Sequence, residues 1–514
     1  MFYDMRYKVV MMLSCVVVST ACSKSSTPSS ANTPTAGTHT YYVSASGNDV
    51  NAGTAASPVK SINHALSLTV PGDTVLVRGG VYSEKVVITK TGTNGKYITM
   101  KAFAGEKPVI DGTGLTVNGT EGLITVSGVK FIIVQGITTC NFISNNSAND
   151  PKGILVQGGS DFIEIRNNTV YNINYEHTPL DGGCNAILIK GNTSDPVTNI
   201  IVDGNTIHDC KTGYGENLTV NGYVDGFTVS NNTIYNGQNI GIDAAGGYAA
   251  NSTPAYNYAR NGVISGNTLY NIESSRGPLG GYGAIGIYVD GARNIVVEKN
   301  RVSVADRGIG TVSETMGFPT DSVIVRNNFI YNCWRAGVSM GGYLNYTTGG
   351  TTNCYIVNNT LYNNDKVVGY FNEMEGEISI REQCSNNVIQ NNIVYGSAGD
   401  VLVHKYTSTG SNNAINYNLY YSTGTPQWIW GSTNGTAITD FNNWKTGSGN
   451  DGGSVSGLDP LLVNIAAPDL HLQTSSPAKN TGNVLPATIN GSTDIDGNAR
   501  IVNNKISKGA HQVQ

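Results

Sequence analysis

Past residue 40 the chain alternates apolar and polar positions in runs only a few residues long, and one phrase keeps returning: "IEIRNNTVYN", "IIVDGNTIHD", "FTVSNNTIYN", "VISGNTLYN", "IVVEKNRVS", "VIVRNNFIYN", "YIVNNTLYN", "VIQNNIVYG". Each phrase reads as a short strand of period two, a polar corner with Asn, and a second short β-branched strand. The corner Asn falls at Asn168, Asn205, Asn232, Asn267, Asn300, Asn328, Asn359 and Asn392, at steps of 27 to 37 residues. A constant motif with loops of variable length between copies is the signature of a solenoid. With no helical periodicity between the strands, the expectation is an all-β fold, a β-solenoid. The repeated Asn is expected to bond its counterpart one coil above and below, satisfying turn backbone that would otherwise be buried without partners. Asp225 and Asp321 share their register with Asn261, Asn294, Asn353 and Asn386, and read as turn residues at the start of a strand.

A second column follows each corner: "GIDAA" from Gly241, "GIYVD" from Gly286, "GTVSE" from Gly310, "GVSMG" from Gly337, "EISIR" from Glu377 and "DVLVH" from Asp400. Side chains alternate across a strand, so the second and fourth places point inward and the third and fifth outward. The outward fifth place then reads Ala245, Asp290, Glu314, Gly341, Arg381 and His404, with Asn221 and Lys190 on earlier coils. Place three reads Asp243, Tyr288, Val312, Ser339 and Ser379. In this register Asp290 and Glu314 are neighbours on consecutive coils about 4.8 Å apart, which puts their carboxyls within about 5 to 7 Å. Two aligned carboxylates repel unless a proton, a cation or a substrate lies between them, so the pair adds nothing to a scaffold.

Only 13% of the residues are charged, the formal net charge is −5, and no Lys/Arg cluster follows the first residues. That excludes a nucleic-acid partner. The N-terminus, "MFYDMRYKVVMMLSCVVVSTACSKSS", has a basic start, an apolar run too short to span a bilayer, and small residues before Cys22. Ser19, Thr20 and Ala21 before Cys22 resemble a bacterial lipobox without its usual Leu. The expected organisation is a lipoprotein signal peptide over residues 1–22 with Cys22 as the lipid site, a Ser/Thr/Pro tether over 23–40, the solenoid over 41–422, and a C-terminal cap over 423–514. The chain is then an exported monomer anchored by lipid, in the periplasm or on the outer membrane, including its surface. Cys140, Cys184, Cys210, Cys333, Cys354 and Cys384 show no CxxC or Cys/His spacing and read as buried small-residue filler rather than a zinc site.

Ser57–Leu68 carries Val59, Ile62, Ala65 and Leu66 at helical spacing, a short helix suited to closing the open end of a solenoid. Trp428, Trp430 and Trp444 fall in the irregular stretch after Tyr417 and suit packing of the C-terminal cap. From Tyr41 to about Ser422 the wording resembles secreted bacterial right-handed parallel β-helix proteins of the pectate-lyase-like superfamily, as in "VDGFTVSNNTIYNGQNIGID", "IYVDGARNIVVEKNRV" and "VIVRNNFIYNCWRAGVSMGGY". "SSPAKNTGN" through "DIDGNARIVNNKISKGAHQ" is similar to the closing segment that follows such helices. The resemblance implies a right-handed parallel β-helix acting on poly- or oligosaccharides, a fold that hosts several reactions.

Three functions fit these residues. A glycoside hydrolase needs one protonated and one ionised carboxyl; Asp290 and Glu314 supply them, and a separation near 5.5 Å corresponds to retention. No cofactor is then required. The pair resembles that of β-helix β-xylosidases of glycoside hydrolase family 120, which implies Asp290 as nucleophile and Glu314 as acid/base. Asp243, Tyr288, Arg381, Lys190 and Tyr343 are the candidate substrate-binding residues beside them. A polysaccharide lyase would instead hold Ca²⁺ on Asp243, Asp290 and Glu314 and use Arg381 or Lys190 as base. Yet where family 9 pectate lyases have clustered Asp and a Lys, this chain reads "NGQNIGIDAAGG" and "AGVSMGGY". The third function is a glycan-binding surface lipoprotein without catalysis. The acidic loop "NEMEGE", with Glu373, Glu375 and Glu377, could line any of these sites, its default role being a solvated loop.

Overall fold

The computed structural model describes residues 38–343, 349–367, 375–433 and 435–514. The signal segment, Cys22, nearly all of the tether and Glu373 lie outside the described residues. Within them the chain winds as a right-handed parallel β-helix whose three long sheets hold 16, 12 and 13 strands. Every pairing in these sheets is parallel, each strand bonding its counterpart one coil away; Ile187, for example, lies beside Ile154 and Leu218. One coil shows the arithmetic. Asn185–Gly191, Val197–Asp203 and Thr206–His208 each place an Ile or Val inward, and Ile187, Ile200 and Ile207 are all buried.

The corners are built as the repeated Asn requires. Side-chain amides run unbroken from Asn168 to Asn392, each Nδ2 donating to the Oδ1 of the next at 2.9–3.1 Å, and one further step reaches Asn418. Each of these amides also donates to a carbonyl of the preceding coil, such as Asn232 to Val202 at 3.0 Å. A buried backbone group left without such a partner costs about 1–3 kcal/mol. The residue before the ladder Asn turns the corner in the left-handed region, as at Asn167, Asn231 and Asn327, where Asn is among the best-tolerated non-glycine residues. The outer row of Asn does likewise: Asn261 has φ 56° and donates to Asp225 at 2.6 Å, and Asn353 donates to Asp321 at 2.7 Å. The six cysteines among the described residues are buried free thiols.

Three sequence registers are corrected. Asp225 and Asp321 pair with Arg260 and Arg293, one residue before the row of Asn261, Asn294, Asn353 and Asn386, whose place on their coils is taken by Gly226 and Ser322. Asp290 pairs with Val312, and Gly286 is matched by Gly308, not Gly310. Glu314 therefore lies two residues past the end of its strand, Arg307–Val312, not opposite Asp290. Likewise Ser379 pairs with His404, which moves His404 from place five to place three.

The ends are closed by different means. Helix Ile62–Leu68, capped by Ser61, buries Ile62, Ala65 and Leu66 over the first coil. At the other end the sheets continue past residue 422 through Gln427–Trp430 and Val455–Ser456. Trp428 and Trp444 are fully buried there, with ring centroids 6.0 Å apart, and the Trp444 indole N–H donates to Asp451 at 2.7 Å. The tail then folds back along the helix: Arg326 donates to the Thr488 carbonyl at 2.7 Å, and the Ala510 amide donates to Thr360 at 3.0 Å.

Candidate active site

The 12-stranded sheet carries a cleft of about 730 Å³ on its outer face, spanning the coils from Asp150 to Glu314. Its floor takes outward positions from consecutive strands: Asn221 from Glu216–Gly222, Asp243 and Ala245 from Ile240–Ala245, Tyr288 and Asp290 from Ile285–Asp290. Alternation thus delivers Asp243 and Asp290 to one surface, while Ile242, Ala244, Ile287 and Val289 fill the interior beneath them.

Glu314 reaches the same surface by another route. The chain leaves its strand after Val312 and curls back so that the Glu314 amide donates to Asp290 Oδ1 at 3.2 Å. The Tyr288 hydroxyl crosses to Glu314 Oε1 at 3.1 Å. That crossing depends on Gly310, Tyr288's partner in register: a Cβ there would lie 2.7 Å from the tyrosine ring. The second oxygen of Asp290 accepts from the Tyr248 hydroxyl. Tyr248 comes from the insertion after Ala245, seated by Gly247 at φ +90°, where a Cβ would strike Thr315 at 2.8 Å. Asp290 is thus 1% exposed with two donors fixed on it, and Glu314 is half-buried at the lip.

Burial, then the charge of Glu314, pushes Asp290 well above the ordinary carboxylate range. Burial raises Glu314 as well, and hydrogen bonds from Tyr288 and Tyr248 moderate the rise. A neighbouring charge that raises an already buried acid favours one proton held between the two, the condition for an acid and a base side by side. Two further acids extend the site. Glu216 accepts from Asn185 at 2.9 Å and Thr219 at 2.8 Å. Asp243, 4% exposed, is raised well above its ordinary value by burial and by the charges of Glu216, Asp290 and Glu314.

The other sequence candidates separate. Tyr288 and Asp243 line the cleft with the pair. Lys190 shares the register position of Asn221 but lies outside the lining. Arg381 is 6% exposed in a buried ion cluster around Glu375, which also takes Arg307 at 2.8 Å and Arg335 at 2.6 Å. Tyr343 packs between that cluster and the cleft, against Tyr288 and Val312. Glu375 and Glu377 are fully buried, so the acidic loop is not solvated at these two residues. Sequence reasoning missed Glu216, which opens its strand, and Tyr248, whose loop carries no periodic signal.

Among the described residues, three acidic, histidine or cysteine side chains bring ligand atoms within 4.8 Å of one another only at Asp494, Asp496 and His511. There Asp494 accepts backbone N–H groups from Asp496, Asn498 and Gln512, and the His511 Nδ1 accepts from Leu472, so these groups are already used in closing the tail. Asp243, Asp290 and Glu314 do not bring their ligand atoms together to that degree. The trio does not fit a Ca²⁺ ion.

Residues 41–240 match the family model described as the Pel9A-like, right-handed β-helix region. Over 135 residues, 25% of this chain and 33% of the other, the sequence is 30% identical to pectate lyase PEL9 of Emericella nidulans. A solved structure of XylC with xylose shares the fold at a TM-score of 0.54 and 14% identity, covering 92% of this chain and 98% of that one. The protein YwoF of Bacillus subtilis (strain 168) is 30% identical over 441 residues, 85% of this chain and 92% of its own length. The chain belongs to the same family of right-handed parallel β-helix proteins as YwoF, with a Pel9A-like helix over its first coils.

Proposed function

We propose that the protein is a carbohydrate-active enzyme that hydrolyses glycosidic bonds of poly- or oligosaccharides with Asp290 and Glu314. The observation that carries this reading is the unequal setting of two neighbouring buried acids. Asp290 is fixed by donors from Tyr248 and the Glu314 amide, which favour its ionised form. Glu314 stands at the lip, within reach of solvent and of a leaving group. Burial is the larger cause that opposes ionisation of Asp290 and is offset by its two donors; with the proton on Glu314, the second cause, the charge of Glu314, is gone.

In the first step Asp290 attacks the anomeric carbon while Glu314 gives its proton to the departing glycosidic oxygen, leaving a glycosyl ester on Asp290. In the second, Glu314 takes a proton from water, whose oxygen attacks the same carbon and releases Asp290 with net retention. Tyr288 holds Glu314 through both steps by its hydroxyl.

The Pel9A-like match supports a second reading, elimination from a uronate, in which Ca²⁺ on the cleft acids would neutralise the substrate carboxylate. That reaction also needs a Lys or Arg at the cleft. Arg381 is tied up around Glu375, Lys190 lies outside the lining, and no Lys or Arg is among the described lining residues. The test is a polysaccharide panel digested with and without EDTA, read for new reducing ends and for absorbance of an unsaturated uronate. Reducing ends without absorbance, indifferent to EDTA and lost in Glu314→Gln, are expected. Absorbance abolished by EDTA would establish the lyase instead, and binding without turnover a glycan-binding protein.

A further inference from the structure

The cleft is acidic along its whole length. Asp150, Asp181, Glu216, Asp243, Asp290 and Glu314 all line it, and no Lys, Arg or His does among the described residues. Lys152 lies close by, but it is 1% exposed with its Nζ committed to Asp150 and to Asn185 at 2.6 Å. A polyuronate would bring one carboxylate per sugar against these acids, with no cation in the lining to receive it.

A second observation shows what the cleft accepts. Asp243 is more than nine-tenths buried, faces the cleft, and its Oδ1 has no hydrogen-bond partner. On the neighbouring coil the Asn221 Oδ1 is likewise without a partner. The two belong to adjacent strands, where Asn221 pairs with Ala245, two residues past Asp243. Buried acceptors without donors are costly unless a ligand supplies the donors.

Resting on the hydrolase reading, we propose that Asp243 and Asn221 form a sugar subsite next to the catalytic pair that takes hydrogen-bond donors, hydroxyl or ammonium, of a glycan without carboxylates. The protein's substrate is therefore an uncharged or amine-bearing saccharide, not the polyuronate that its Pel9A-like helix would suggest. Asp243 is a specificity residue in this arrangement, and Tyr248 closes the subsite on the side of Asp290.

Titration calorimetry on the Glu314→Gln chain, which holds ligand without turnover, tests this with xylopentaose, a glucosamine pentamer and pentagalacturonate, each in EDTA and in CaCl₂. The expected result is binding of one or both carboxylate-free pentamers at least about tenfold tighter than pentagalacturonate in either buffer, a gap of about 1.4 kcal/mol. Asp243→Asn in the same background should weaken that binding about tenfold with its melting temperature retained or raised. Preference for the amine that fades with salt identifies an ammonium; equal, salt-insensitive binding identifies hydroxyls. Pentagalacturonate binding at least as tightly, with or without Ca²⁺, overturns the proposal, and so does silence of both carboxylate-free arms. Because no turnover is read, loss of hydrolysis in the panel would leave this result standing, and the reverse.

Discussion

Two clusters of buried acids adjoin on the same sheet and are built on opposite plans. In the cleft, Glu216, Asp243, Asp290 and Glu314 have hydroxyls, amides and one another for company, and all are raised from their ordinary values, Asp243 and Asp290 well above them. Beyond Tyr343, Glu375 is met by three guanidiniums, Arg307, Arg335 and Arg381. Burial alone would raise Glu375, but these cations overcome it and hold the carboxyl well below its ordinary value. Burial is therefore common to both, and counter-charge is what differs. An acid locked to arginines cannot exchange a proton near neutral pH; an acid without them can. On the proposed reading, the next coils after the cleft continue the sheet as scaffold, and the chemistry ends at Glu314.

The sharpest break of this comparison is Asp290→Asn. Removing the nucleophile should lower kcat on a responsive substrate by about 10⁴-fold or more, with the melting temperature at pH 7 unchanged or raised, because an unpaired buried charge has gone. Glu375→Gln should do the reverse. It strands three buried cations, a change of the kind that costs about 3–5 kcal/mol, read as a fall in denaturation midpoint with residual activity tracking the folded fraction. If Asp290→Asn unfolded the chain and Glu375→Gln did not, the assignment of chemistry and scaffold would be inverted.

Tyr248→Phe sharpens the comparison inside the cleft. The lost hydroxyl donated to Asp290 and favoured its ionised form, so Asp290 should hold its proton to higher pH. The acid limb of the kcat/KM profile should move up in pH, and activity at neutral pH should drop about ten- to hundredfold. A limb that stayed in place would remove Tyr248 from the proton balance of the pair.

The contrast also shows what the sequence can carry. The solenoid, the Asn ladder and the inward and outward faces were legible because each rests on a period-two pattern repeated coil after coil. The position of Glu314 was not, for the same reason. In "GIGTVSE" two glycines, Gly308 and Gly310, stand two residues apart, and a slip of two preserves every inward and outward assignment. Glu314 still faced outward in the wrong register, while its true contact with Asp290 comes from the chain turning back after Val312. "DVLVH" slipped by the same two residues at His404. Tyr248 lies in an insertion with no repeat to align it. The arginine cluster was hidden because it joins Glu375 to Arg307, 68 residues away, with no pattern linking them.

The smallest effect separates the two plans by pH alone. A carboxyl whose folded pKa lies above its unfolded value of about 3.9 binds more protons folded than unfolded between those two values, so its contribution to stability is present at low pH and lost as pH rises. Asp243 is of this kind. Asp243→Asn removes the penalty, so the variant should gain on the wild type as pH rises from about 4 to 8. Glu375, lowered in the fold, obeys the opposite sign: its stabilisation is present above its unfolded pKa of about 4.3 and fades as pH falls through its folded value. The deficit of Glu375→Gln should therefore be full at pH 7 and shrink on acidification. Melting curves of both variants across this range should diverge from wild type in opposite directions, and parallel curves would mean that counter-charge does not distinguish the two clusters.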